Sequence, residues 1–128
     1  MKTVTVLALI VSAAMAAACA GDTRESLAAE SQRVLDEFAA TLDGIKDADT
    51  ARSAKPKLQA IIKRMDDINT RQNKLPAQTN AETKALVDKY GKKMEETAAK
   101  VQAAMMRIFF TPAIQAELKD IDFQKIGR

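Results

Sequence analysis

Apolar residues along the middle of the chain recur at helical spacing. Ala51, Ala54, Leu58, Ile61, Met65, Ile68, Gln72 and Leu75 follow one another at alternating steps of three and four, which keeps them on one face of a helix. The pattern predicts a continuous helix from about Thr50 to Lys74, with Asp49 as its N-cap. Pro56 lacks the amide that would reach the carbonyl of Arg52, so a kink is expected there. The alternative is a helix that begins at Lys55 with Pro56 in its first turn, leaving Ala51 and Ala54 in a loop.

Upstream, Leu27, Ser31, Val34, Phe38, Thr41 and Ile45 repeat the same alternation, with Leu35 and Leu42 widening the stripe. They predict a helix over about Thr23–Asp43, stopped by Gly44. Downstream of Pro76, Thr79 and Glu82 have the spacing of a capping box. A third helix follows to about Phe110, its seam formed by Val87, Tyr90, Met94, Thr97, Val101, Ala104 and Ile108. Thr111 and Pro112 then supply an N-cap and a first-turn proline for a short fourth helix carrying Ile114, Leu118 and Ile121.

Connections of about five or six residues make an antiparallel up-down-up three-helix bundle the simplest packing, with the short C-terminal helix appended. The chain is thus expected to be all-α, with one helical domain over residues 23–128. At ~1.5 Å per residue the third helix extends ~46 Å against ~31 Å for the first, and its C-terminal end is expected to protrude. That end carries Met105, Met106, Ile108, Phe109 and Phe110. The cluster needs a cover, which the fourth helix could provide by folding back; left open, it is a candidate patch for a partner or a second copy of the chain.

Composition narrows the chemistry more than it narrows the fold. The 128 residues include no histidine, which removes the commonest general base, the Ser-His pair and most zinc, copper and haem ligation. No catalytic, cofactor-binding or metal-ligating set is expected. Asp43, Asp47 and Asp49 lack the alternation and terminal Glu of a calcium loop and read as turn and capping residues. Met65, Met94, Met105 and Met106 read as core filler, because a bundle cytochrome of the usual kind would also need a histidine. Arg52, Lys55, Lys57, Lys63 and Arg64 form a basic run without an acid between them. It reads as a solvated face offset by acids of neighbouring helices.

The first eighteen residues have the three parts of a secretory signal: Lys2, an apolar run from Val4 to Val11, and small residues up to Ala18. The apolar stretch is shorter than a membrane span. Of the basic residues only Lys2 leaves with the signal, so the remaining chain is nearly charge-balanced and nucleic-acid binding is not expected. Cys19 is the only cysteine and has no partner for an intramolecular disulfide.

Ala16-Ala17-Ala18-Cys19 resembles a bacterial lipobox, although Ala16 stands where such motifs usually carry Leu and the same small residues would serve an ordinary signal peptidase. The resemblance implies lipidation of Cys19, a membrane-attached N-terminus over residues 19–22 and, from Ala20, sorting to an outer membrane where the host has two. The segment Gly44-Ile45-Lys46-Asp47-Ala48-Asp49-Thr50-Ala51, continued by Ala54, Pro56 and Leu58 and joined by Leu86 and Tyr90, resembles short exported helical proteins of bacteria with no named activity. The expected function is a non-enzymatic, lipid-anchored envelope protein with a structural or protein-interaction role. Its partners would be the membrane, through the lipid, and an envelope protein. The alternative is a soluble periplasmic binding or chaperone-like module released by ordinary cleavage, using the Met105 to Phe110 cluster.

Overall fold

The computed structural model describes residues 21–126. They form four helices, α1 Arg24–Asp43, α2 Ala48–Asn73, α3 Asn80–Phe109 and α4 Pro112–Leu118, followed by a 3-10 turn, Phe123–Ile126. Among the described residues there is no strand. The expected signal peptide and Cys19 lie outside the described residues.

Local capping chemistry sets where the long helices begin. At α1, Thr23 Oγ1 accepts from the Ser26 amide at 3.0 Å while Ser26 Oγ accepts from the Thr23 amide at 2.9 Å. At α3 the Thr79 and Glu82 pair forms as its spacing predicts, with the Thr79 amide donating to Glu82 Oε2 at 2.8 Å and the Glu82 amide to Thr79 Oγ1 at 3.2 Å. The α2 cap differs from expectation. Asp47, not Asp49, is the N-cap, its Oδ1 accepting from the Thr50 amide at 2.8 Å while Thr50 Oγ1 accepts from the Asp47 amide at 3.0 Å. The reason is reciprocity: three residues after Asp47 stands a hydroxyl that can accept, whereas three residues after Asp49 stands Arg52, which cannot.

Helix α2 runs without a break through Pro56, and Ala51 is fully buried, so the version that begins at Lys55 is excluded. Gly44 does end α1, but in a right-handed conformation at φ −73°, with its amide reaching the carbonyls of Ala40 and Leu42. Thr111 precedes α4 without capping it through its side chain. Its hydroxyl instead donates to the Arg107 carbonyl at 2.9 Å.

The apolar stripes read along α1 and α2 become the core: Leu27, Val34, Phe38, Leu42 and Ile45 meet Ala51, Leu58, Ile61, Met65 and Ile68. Each large aliphatic side chain so buried contributes about 1.5–3 kcal/mol of transfer free energy. Helix α1 packs against both α2 and α3, yet no Cα of α2 comes within 8 Å of α3. Helices two and three are therefore not the packed neighbours that a simple three-helix arrangement requires. The other side of α2 is covered instead by α4 and the 3-10 turn, whose Phe123 ring approaches Phe38 with centroids 6.2 Å apart.

The order of polar pairs along α1 locates the ends of its neighbours. On α2, Glu30 pairs with Arg71 and Glu37 with Arg64, in reverse order. On α3, Glu25 pairs with Lys89, Asp36 with Lys93, and the Leu42 carbonyl accepts from Arg107 Nη2 at 3.0 Å, in the same order. The C-terminal end of α3 is thereby level with the end of α1, and the surplus turns of α3 overhang at its N-terminus. This reverses the expected protrusion. The chain leaves α2 beyond the start of α1, and α3 has to begin there.

Candidate functional site

The five residues of the expected patch separate in the folded chain. Ile108 is buried and Met105 half-buried against the core, whereas Met106, Phe109 and Phe110 are 53%, 56% and 80% exposed. Successive helical side chains point about 100° apart, so Ile108 facing inward obliges Phe109 to swing outward. Helix α4 does fold back, burying Ile114 and Leu118, but it ends before Ile121, which is buried in the segment that follows. It does not cover Phe109 and Phe110, and the expected lid is in this respect absent. Beside Phe109 lies a recess of about 480 Å³ lined by Ile108, Pro112, Gln115, Leu118, Ile121 and Phe123 among others. The site is an apolar ledge next to an apolar recess, with Lys119 as the one charged side chain lining it.

Two further large apolar side chains face outward that the sequence periodicity assigns to the core. Val87 and Met94 are 60% and 40% exposed. The seam drawn through α3 is in fact two adjacent stripes. Thr97, Ala104 and Ile108 are buried, while Val87 and Met94 lie on the stripe beside them and have no helix against them. Nothing in the three-four spacing distinguishes the two, because it fixes a face and not its occupant.

Polar groups concentrate between α1 and α3. Gln32 Nε2 donates to Asp36 Oδ1 at 2.9 Å and to Thr97 Oγ1 at 3.1 Å, and the Thr97 hydroxyl donates to Asp36 Oδ1 at 2.8 Å. Lys93 closes the set with Nζ 3.0 Å from Asp36 Oδ2. Burial pushes the Asp36 carboxyl up, but the bonds from Lys93, Thr97 and Gln32 outweigh it and hold the group below its ordinary 3.8. A groove of about 670 Å³ continues from this cluster along Asp43, Lys100 and Arg107, with Ala39, Ala40, Ala103 and Ala104 between the charges. Its charges stand at seven-residue steps, Asp36 and Asp43 on α1 and Lys93, Lys100 and Arg107 on α3. That regularity is visible in the sequence, but the apolar periodicity does not single it out. Chemically the groove offers cations and carboxylates already facing one another, without a cysteine, a histidine or a hydroxyl activated by a base.

Neighbouring acids offset three members of the basic run on α2, while Lys57 and Lys63 are exposed. Arg52 Nη2 lies 2.7 Å from Glu117 and Lys55 Nζ 3.0 Å from Asp120, both tying α2 to the α4 region, and Arg64 lies 2.6 Å from Glu37 on α1. These bonds hold Glu117 and Asp120 below the ordinary carboxylate range. Arg71 makes the densest set, with Nε and Nη2 bonded to Asp22, Nη1 and Nη2 to Glu30 and Nη1 to Asp67, at 2.8–3.1 Å. The bond to Arg71 lowers Asp22, and the three carboxylates together raise Arg71.

Among the described residues, no three His, Cys, Asp or Glu side chains are grouped to hold a metal ion, and no helix is long and apolar enough to cross a membrane. The described residues define an all-helical protein. No family model, curated protein or solved structure matches the chain.

Proposed function

We propose that the chain is a non-enzymatic envelope protein, lipid-anchored through Cys19, that follows an up-down-up path and acts by contact with another protein. One observation carries the contact role: among the described residues, Val87, Met94, Met106, Phe109 and Phe110 are large apolar side chains that face outward. Uncovered apolar surface of this kind is characteristic of a binding face. The reading of a bundle path draws support from the reversed pairing order on α2 and the matching order on α3.

The anchoring part rests on the resemblance around Cys19, and chain geometry sets the reach of such an anchor. Asp22 is held by Arg71 on α2, so three peptide steps separate Cys19 from the first fixed residue. They span at most ~10 Å. An acyl group there would hold the folded body close to the bilayer, and two or more acyl chains give lasting attachment where one gives only marginal binding.

Radiolabelled palmitate tests the anchor. Label is expected on the processed wild-type chain and is expected to vanish in Cys19→Ser; an unlipidated product beginning at Gly21 overturns the proposal. The exposed ledge at Phe109 and Phe110 also favours the second reading, a soluble periplasmic chaperone-like module. That reading requires the released chain to suppress aggregation of an unfolded client and to lose this ability on Phe109→Ser with Phe110→Ser.

A further inference from the structure

On α3, Val87, Gly91, Met94, Ala98, Val101, Met105 and Phe109 succeed one another at steps of four, three, four, three, four and four, forming one continuous stripe. Val101 and Met105 are half-buried against the core, and Val87, Met94, Ala98 and Phe109 are exposed. Among the described residues no helix lies along the exposed part, since α2 stays clear of α3 and α4 packs at its far end.

The stripe is complementary to itself when a second copy runs in the opposite direction. Placing the two Ala98 residues opposite each other also sets Val87 against Phe109, Gly91 against Met105, and Met94 beside Val101. At the Gly91 layer a large side chain then faces a position with none, and the Val87 and Met94 layers set apolar side chains against one another. Gly91 is the informative member. A glycine within a helix is among the poorest helix formers, and a Cβ at this position would meet nothing but the Val87 side chain, at 3.4 Å. No internal packing needs the missing methyl, whereas the opposed register uses the gap to receive Met105.

The size also fits a pair of this chain. From Val87 to Phe109 the stripe runs ~33 Å, and two helices packed along that length at 8–10 Å bury on the order of 1,000 Å², the lower limit for a specific interface. We infer that α3 is the interface of a weak two-fold homodimer, antiparallel about Ala98. The inference rests on the reading of the outward apolar residues as a contact surface, and not on acylation of Cys19.

The test is oxidative crosslinking of the full chain in the bacterial envelope that processes it, with single cysteines added at Ala98 and, as an outward-facing control, Lys92. The symmetry axis brings two Ala98→Cys side chains within disulfide reach. A covalent dimer is expected from Ala98→Cys, with neither the unaltered chain nor Lys92→Cys exceeding background. No excess dimer from Ala98→Cys overturns the inference, together with the contact reading if no adduct of any mass forms. An adduct of another mass overturns the second copy and leaves the contact reading in place. Gly91→Ala separates interface from fold: the melting temperature is expected to rise by a few degrees while self-association of the purified chain weakens at least tenfold. Unchanged self-association in that variant also overturns the inference.

Discussion

Removing the buried Ile114 side chain should cost far more than removing the larger but exposed Phe110. Ile114 is 1% exposed beneath α4, and truncation to Ala deletes three carbons from that site. The lost transfer free energy is about 2.4 kcal/mol at ~0.8 kcal/mol per carbon, and incomplete collapse of the cavity brings the total to about 3–4 kcal/mol. At roughly 4–8 °C per kcal/mol for a domain near one hundred residues, the melting temperature falls by about 12–32 °C. Phe110 keeps 80% of its surface in water, so Phe110→Ala forfeits about a fifth of a phenylalanine burial, ~0.5 kcal/mol. Urea titration of the processed chain, followed by circular dichroism at the helical band, gives both values from midpoints and slopes. Equal losses for the two variants, or a larger loss for Phe110→Ala, would refute the geometry and mean that the ledge is covered.

Three further outcomes follow from the polar chemistry. Thr97→Val keeps the shape but leaves Gln32 and Asp36 each one hydrogen bond short, and is expected to cost about 1–3 kcal/mol in the same titration; an unchanged midpoint means that the cluster is not closed. Asp47→Ala should lower the melting temperature and Asp49→Ala should not, because Asp47 alone accepts from the Thr50 amide; the reverse ranking in thermal melts restores Asp49 as the cap. In acid the sign is set by carboxylates that titrate lower in the folded chain: Asp22, Asp36, Asp47 and Asp120 below 3.8, Glu82 and Glu117 below 4.5. The unfolded chain takes up protons first as pH falls, so this stabilisation is complete above those ordinary values and drains away beneath them. Melting temperature is expected to be level between about pH 6 and 8, where a chain without histidine has no side chain of ordinary pKa to titrate, and to fall below about pH 5. A maximum near pH 4 would contradict this.

Where a signal depends on a few neighbouring residues, the sequence is a sufficient guide. The Thr79 and Glu82 cap, the stop at Gly44 and the buried face of α2 from Ala51 to Ile68 all depend on spacing within one helix. The Asp47 cap depends on the same kind of spacing, because the third residue onward, Thr50, carries the reciprocating hydroxyl. Periodicity is silent about which helices meet. It places Val87, Met94 and Thr97 on one broad face and does not tell that α1 covers Thr97 alone, nor that α2 turns to α4 instead of α3. The candidate site was legible as a run of apolar residues, Met105 to Phe110, but its division into buried Ile108 and outward Phe109 and Phe110 needed the helix phase against α1.

Arg71 has a mechanical consequence. Its guanidinium grips Asp22 with two nitrogens while also holding Glu30 on α1 and Asp67 on its own helix. Tension arriving through the amino end of the chain is therefore passed to α2 before it reaches the first turn of α1. The load is shared across two rods as shear and does not peel one of them open from its tip, so a pulled molecule should yield abruptly at high force, and Arg71→Gln should make it unravel gradually at a lower one.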